Sequence, residues 1–424
     1  MKKYSNNLNL YYNTLGYYDL DTYDKIHTFF TNIPFNYKID SNDCMYLINY
    51  KSSKDLYDND NKDLSAMALP ITKILRGAVF EKGSNFPLCL PLPKFSHRNE
   101  FFNTPIENIE FTEAIDGVLI NLFYYKDVEY GGRWMISTRG RVNAFNSRWR
   151  SELNFGEMAA EAMSGYDFNQ LNKNHCYSLV LEHPENINVV IHKKTNIYHV
   201  FTRDMTTQRE VRNDYVGIQK PRKHIFLSYK FLDVFLEKCN LNRCIGVVAR
   251  NLGDNRRYVY YSTAYKKMKS LVKNYYNIRD IFIDNYTGIG DSMENILYIL
   301  KHYGNLNNWK ASWNWVLQKY TGLINEIEFY YEICYKRRKR RKIPGYLKPI
   351  LYEIHGLYIA RKREWYRVEE LRKLTEVYYK GDIESNPSPK IIRSDIQVWY
   401  AGLPFERRRE ILYSFFNQFV FKMN

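Results

Sequence analysis

The chain has 424 residues and a formal net charge of +16, with 62 Lys and Arg against 46 Asp and Glu. Its 45% hydrophobic and 25% charged residues are ordinary for a soluble globular protein, and its length allows two domains, each with its own core. No stretch approaches the roughly 20 apolar residues of a membrane helix, so no membrane partner is expected.

The unusual counts are 39 Tyr and 24 Phe beside the surplus of cations. That pairing suits a polyanion that also offers faces to stack on, and single-stranded RNA fits better than a duplex because its bases are unpaired. The plainer reading puts the tyrosines in sheets and the lysines at a solvated surface. The N-terminal MKKYSNNLNLYYNTLGYY lacks an apolar core segment and does not read as a secretion signal. A reducing compartment follows, the cytoplasm (of a host cell if the protein is viral), with all six cysteines free. Cys239 and Cys244 have no second pair or nearby histidine to complete a zinc site, and the cysteines read as core thiols.

From residue 71 to 269 short strands dominate. Residues 118–125 (VLINLFYY) form a run of β-branched and aromatic residues, and 134–138 (WMIST) follow the turn signal Gly131-Gly132, predicting a hairpin. Further strands are predicted at 177–182, 189–192, 197–202, 246–250 and 258–263. Helical spacing appears at 151–164 and at 229–239, where Phe231, Val234, Phe235 and Cys239 would share one face. Beyond 285 the spacing becomes helical throughout, at 293–303, 309–320, 324–342, 347–358 and 364–379. Gly288-Ile289-Gly290-Asp291 marks a boundary, and Asn386-Pro387-Ser388-Pro389 reads as a loop. The expected class is α+β: antiparallel sheets with flanking helices over residues 1–284, then a mostly α-helical domain over 285–424.

Residues 111–117 read FTEAIDG and lead directly into the strand at 118. Upstream stand Arg76-Gly77, Phe80-Glu81, Pro93-Lys94-Phe95 and Asn99-Glu100. Downstream come Arg139-Gly140, Leu181-Glu182-His183-Pro184, Phe201-Thr202-Arg203-Asp204, Gly246-Val247-Val248 and Tyr265-Lys266-Lys267-Met268-Lys269-Ser270. In order and spacing this series resembles the RNA ligase 1 family, the bacteriophage tRNA-repair ligases of the covalent nucleotidyltransferase superfamily, from Arg76 to Ser270. The resemblance implies an adenylation domain, ATP with Mg²⁺ or Mn²⁺, and RNA ends joined through enzyme–AMP and RNA–adenylate intermediates. It implies a monomer acting on nicked tRNA or single-stranded RNA ends.

It also implies roles. Ala114 stands where the family has its nucleophilic lysine, with Asp116 and Gly117 completing the element. Lys267 and Lys269 would reach nucleotide phosphates from one face of a strand. Arg76 and Lys94 would add positive charge at the triphosphate, and Arg139 would pack near Asp116. Glu182 would accept from the ribose hydroxyl and help hold metal, and Tyr198 or Phe201 would stack on adenine. Ile245 takes the place of a metal-holding glutamate.

Alanine cannot form the lysine–AMP bond, because a methyl group has no lone pair. Sealing of RNA that already carries AMP does not need the amine. The Ala114 reading divides between an engineered knockout of an RNA ligase and a naturally inactive pseudo-ligase that binds RNA or nucleotide; isoleucine at 245 favours the second. Finally, residues 336–342 (KRRKRRK) and 361–363 (RKR) are flanked by Tyr330, Tyr331, Tyr335, Trp365 and Tyr366. Arg337, Arg338, Arg340, Arg341, Arg361 and Arg363 are therefore expected to meet an RNA backbone from a helical surface.

Overall fold

The computed structural model describes residues 16–32, 37–50, 75–83, 85–96, 104–127, 131–212, 216–242, 244–378 and 389–420. Asn99, Glu100 and residues 386–388 lie outside them. The chain divides into two compact units, Met1–Lys269 and Ser270–Asn424. The expected α+β class is observed, with antiparallel sheets in the first unit and helices in the second.

The first unit opens with helix α1 (Tyr23–Thr31) and strands β1 (Tyr37–Ser41), β2 (Met45–Tyr50), β3 (Ala78–Glu81) and β4 (Pro87–Cys89), which form one sheet in that order. There follow β5 (Ile109–Glu113), β6 (Val118–Asp127), β7 (Gly131–Thr138), helix α2 (Phe155–Ala162), β8 (His175–Glu182), β9 (Asn196–Asp204), β10 (Lys223–His224), helix α3 (Tyr229–Lys238), β11 (Gly246–Asn251) and β12 (Arg257–Tyr261). A second sheet runs β10-β5-β11-β12 and a third β7-β6-β8-β9. The predicted hairpin forms, with Tyr124 opposite Trp134.

Period-two alternation decides what each sheet buries. In the second sheet Ile109, Phe111, Val247 and Ala249 pack on Leu232 and Leu236 of α3, while Glu110, Thr112, Val248, Arg250 and Val259 face a cavity. In the third, Ile120, Leu122, Leu179 and Leu181 pack on Met158 and Ala159 of α2. Helix α2 starts at a capping box between Asn154 and Glu157. In both sheets one face meets a helix and the other meets the cavity.

Three expectations are corrected here. Residues 189–192 are not a strand, because the Val189 and Val190 amides serve the Asp116 carboxylate. Helix α3 buries Leu232 and Leu236, leaving Phe231 61% and Val234 40% exposed, so its core face is not the one expected. Of the cysteines, only Cys89 and Cys176 are buried; all six are free.

Helix α4 (Thr263–Val272) spans the division between the units. The second unit continues with α5 (Ile278–Asn285), α6 (Ser292–Tyr303), α7 (Asn307–Tyr331), α8 (Leu347–Tyr378), α9 (Arg393–Ala401) and α10 (Phe405–Val420). The two helices expected within 309–342 are one: α7 buries Trp309, Trp313, Val316, Tyr320, Leu323 and Ile327 along a single face and closes in a π-turn, Glu332–Lys336. Likewise α8 joins the two expected within 347–379. Among the described residues no helix is long and apolar enough to cross a membrane.

Candidate active site

Residues 114–117 carry the chain from the second sheet to the third. The Ala114 amide donates to the Gly246 carbonyl at 2.9 Å, extending the β5–β11 ladder by one residue. At Gly117 a Cβ would overlap the Leu181 carbonyl oxygen, so only glycine lets β6 start this close to β8. Gly246 has φ +147°, and a Cβ there would overlap the Tyr260 carbonyl oxygen.

Asp116 is 7% exposed and anchors the crossing. Its carboxylate accepts from the amides of Val189 at 3.0 Å and Val190 at 2.8 Å, and from the Tyr265 hydroxyl at 2.9 Å. Its carbonyl lies 2.6 Å from His192 Nε2. The Lys269 Nζ is 3.5 Å from the same Tyr265 hydroxyl. Tyr265 and Lys269 lie one helical turn apart on α4, so this chain of bonds brings the ammonium toward the crossing.

The cavity beside Ala114 holds about 530 Å³. Arg76, Arg139 and Lys269 line it together with Asp116 and Tyr261. Burial raises the Tyr261 pKa and Asp116 pushes the same way, while Arg139 and Arg76 oppose. Arg212, Lys220, Lys223, Arg250 and Arg257 bring the lining cations among the described residues to eight, against four carboxylates: Glu110, Glu113, Asp116 and Glu210. Glu110 meets Lys223 at 2.8 Å and Arg250 at 3.4 Å. Glu210 meets Arg250 at 3.4 Å and also Arg257. Burial tends to raise the Glu110 pKa, but Lys223 and Arg250 outweigh it and hold the carboxyl below its ordinary value. Cations outnumber carboxylates two to one, so the cavity can compensate a ligand with several negative charges.

Of the residues singled out from sequence, Ala114, Asp116, Gly117, Arg76, Arg139, Phe201, Ile245 and Lys269 line this cavity. Lys94, Glu182, Tyr198 and Lys267 are not among its lining residues. Lys267 and Lys269 lie on α4, not on a strand. Two residues apart on a helix means nearly opposite faces, so the expected shared strand face is corrected. Phe201 is 3% exposed, with the guanidinium carbons of Arg203 and Arg257 at 5.0 and 5.4 Å from its ring centre, so it has little free face for a base.

The expected metal seat is corrected too. Glu182 is engaged by Asn196 Nδ2 at 3.2 Å and His192 Nδ1 at 3.5 Å, and Ile245 offers no donor atom. The pair does not fit a protein-held ion, and any Mg²⁺ would have to come with the phosphates of its nucleotide. Burial raises the Glu182 pKa, and Glu113 and Asp116 push the same way.

Sequence reading missed Glu110, Lys220, Lys223, Arg250, Arg257 and Glu210. They lie far apart in the chain, and most are gathered by β10-β5-β11-β12 pairing. The alternation Ile109-Glu110-Phe111-Thr112 in β5 was the available signal.

In the second unit the basic run is not helical beyond Lys336. It leaves the π-turn as an exposed irregular segment, with Arg338 at φ +51°. Arg337 pairs with Glu332 at 3.1 Å, and Arg341 lies 4.9 Å over the Phe329 ring. Arg361 pairs with Asp395 at 2.7 Å, which commits it within the unit. Arg340 and Arg363 are exposed.

Fold and site together define an α+β protein with a cation-lined cavity between two antiparallel sheets. No family model matches the chain. An African swine fever virus protein named "Putative RNA-ligase" is 22% identical over 164 residues, which is 32% of this chain and 35% of that protein. The chain thus spans about a third of the length of the curated relatives it matches. An archaeal ATP-dependent RNA ligase superposes with a TM-score of 0.40 at 12% identity, over 72% of this chain and 78% of that one. A Naegleria gruberi RNA ligase mutant with ATP and Mn superposes with a TM-score of 0.27 at 14% identity, over 39% and 53%.

Proposed function

We propose that this chain is an RNA ligase of the covalent nucleotidyltransferase type whose nucleophile position is occupied by Ala114. The observation that carries the reading is the crossing loop itself. Ala114 opens onto a cavity of about 530 Å³ lined, among the described residues, by eight cations, with Asp116 and Lys269 tied to the same loop through Tyr265. Such a cavity suits the phosphates of ATP, with Arg76, Arg139 and Lys269 among the cations that line it. The viral relative's name supports RNA as the substrate.

In this reading the first step of ligation is lost, because no amine stands at 114 to attack the α-phosphate and release pyrophosphate. The last step, attack of an RNA 3′-hydroxyl on an adenylated 5′-phosphate with AMP leaving, asks the protein only for positioning and charge compensation. Residues 285–424 would hold the RNA through Arg337, Arg338, Arg340, Arg341 and Arg363, and nicked tRNA is the substrate proposed. A monomer in the cytoplasm of a host cell belongs to the same reading.

A second reading has a specific observation behind it. Ala114 is 6% and Ile245 5% exposed, and both present hydrocarbon to the cavity where the chemistry would need an amine and a carboxylate. That arrangement suits a pseudo-ligase that binds nucleotide or RNA without turnover. Supplying RNA already adenylated at its 5′ end separates the two. Sealed product supports the ligase reading; binding with no sealing leaves the pseudo-ligase; neither sealing nor binding overturns both.

A further inference from the structure

The second unit carries an aromatic ladder that the ligase chemistry does not use. At its base is Tyr331, the last residue of α7, 4% exposed and with a pKa pushed up to about 12 by burial and by Tyr358 and Tyr335. The π-turn that follows changes the helical phase, and the Tyr335 ring stacks on Tyr331 with centroids 5.3 Å apart and planes 10° apart. From α8, His355 packs against Tyr335 at 4.5 Å and against Tyr358 at 5.5 Å, the latter pair 23° from parallel. His355 Nδ1 lies 3.4 Å from the Tyr331 hydroxyl. Burial lowers the His355 pKa, which favours the uncharged imidazole. Tyr335, His355 and Tyr358 are each half-buried, so part of each side chain reaches solvent.

The exposed cationic segment begins at Lys336, the residue after Tyr335. Glu332 takes Lys336 and Arg337. Among the described residues Arg338, Lys339, Arg340 and Lys342 make no ion pair, so four cations follow Tyr335 closely in the chain with their charge uncompensated.

We propose that Tyr335, His355 and Tyr358 form a stacking platform for the unpaired bases of a single-stranded nucleic acid whose phosphates lie along residues 338–342. The proposal deepens the RNA reading above and rests on it for the choice of partner class. A partly exposed aromatic ring held by its neighbours accepts any base, since every base has a π-face, and uncompensated cations neutralise the backbone. A duplex would present its phosphates but hide its bases, so single strands are preferred over duplex of the same length.

The test uses the full chain and short fluorescent oligonucleotides: single-stranded RNA, single-stranded DNA of the same sequence, and RNA duplex. Tyr335→Leu or Tyr358→Leu should each weaken single-strand binding roughly fivefold to a hundredfold, the range for removing one base–aromatic stack. Tyr335→Phe, which keeps the ring, should bind like the parent. The salt slope should stay the same in the tyrosine variants. In Arg338→Ala or Arg340→Ala it should become shallower by about 0.7 for each phosphate that is no longer neutralised. In the parent chain, 2-aminopurine in a bound strand should be quenched, a readout that needs no variant.

Unquenched 2-aminopurine, leucine variants that bind as the parent does, or duplex bound as tightly as single strand would each overturn the platform. The RNA and DNA arms decide which strand it takes. If sealing of adenylated RNA fails while the tyrosine dependence holds, the ligase reading falls and the platform stands. If sealing survives and the tyrosines are silent, only the platform falls.

Discussion

Removing the Asp116 carboxylate tests whether the crossing loop is held as described. In Asp116→Ala the amides of Val189 and Val190 lose their acceptor and the Tyr265 hydroxyl loses its own. A buried amide left unsatisfied costs about 1–3 kcal/mol and an ordinary hydrogen bond contributes about 1 kcal/mol, giving roughly 3–7 kcal/mol in all. The cavity next to the loop lets water reach the freed amides, so the lower end, about 3 kcal/mol, is expected. Against a total stability of about 5–15 kcal/mol this is a large loss. Asp116→Asn behaves differently: its oxygen can still serve the two amides, and its NH₂ can donate to a rotated Tyr265 hydroxyl. About 1 kcal/mol is expected for Asn. Urea unfolding followed by circular dichroism reads both variants. Asp116→Ala unfolding within about 0.5 kcal/mol of the parent would refute the anchoring role, since that is the range of inert surface changes.

Two further perturbations follow from the same site. Gly117→Ala would press a methyl group onto the Leu181 carbonyl oxygen, and roughly 1–3 kcal/mol of destabilisation is expected in the same urea assay; unchanged stability would contradict the close approach. Glu182 has a folded pKa raised above its ordinary 4.5, first by burial and then by Glu113 and Asp116, so the folded state binds its proton more tightly than the unfolded chain does. The resulting cost is absent below the ordinary value, grows as pH rises through the raised one and persists at neutral pH. Glu182→Gln should therefore melt higher than the parent at neutral pH, with the gap closing in acid; a lower melting temperature at neutral pH would contradict the burial cost.

Much of the sheet framework was legible because β6, β8, β9 and β11 are short runs rich in aliphatic and aromatic residues, and β6 and β8 are buried at successive positions, on both faces. Helix α4 was misread for a reason visible in its own sequence. Lys267 and Lys269 suggest period two, but the buried residues Tyr265, Met268 and Val272 follow the helical period. Residues 189–192 have strand propensity, yet two backbone amides at Val189 and Val190 serve Asp116, a demand that no local pattern announces. The motif residues Arg76, Ala114, Asp116, Arg139 and Lys269 were found from their order in the chain and do share one cavity. Glu110, Glu210, Arg250 and Arg257 were invisible for the opposite reason: their grouping exists only after long-range pairing has formed.

The central claim is that Ala114 occupies the position from which an amine would attack the α-phosphate of ATP. The direct measurement is incubation of Ala114→Lys with ATP labelled at the α-phosphate, followed by mass mapping of the adduct. The account predicts no covalent label on the parent chain and one AMP on Lys at position 114 in the variant, released by pyrophosphate. A folded Ala114→Lys protein that binds ATP and takes no AMP at that position would contradict it.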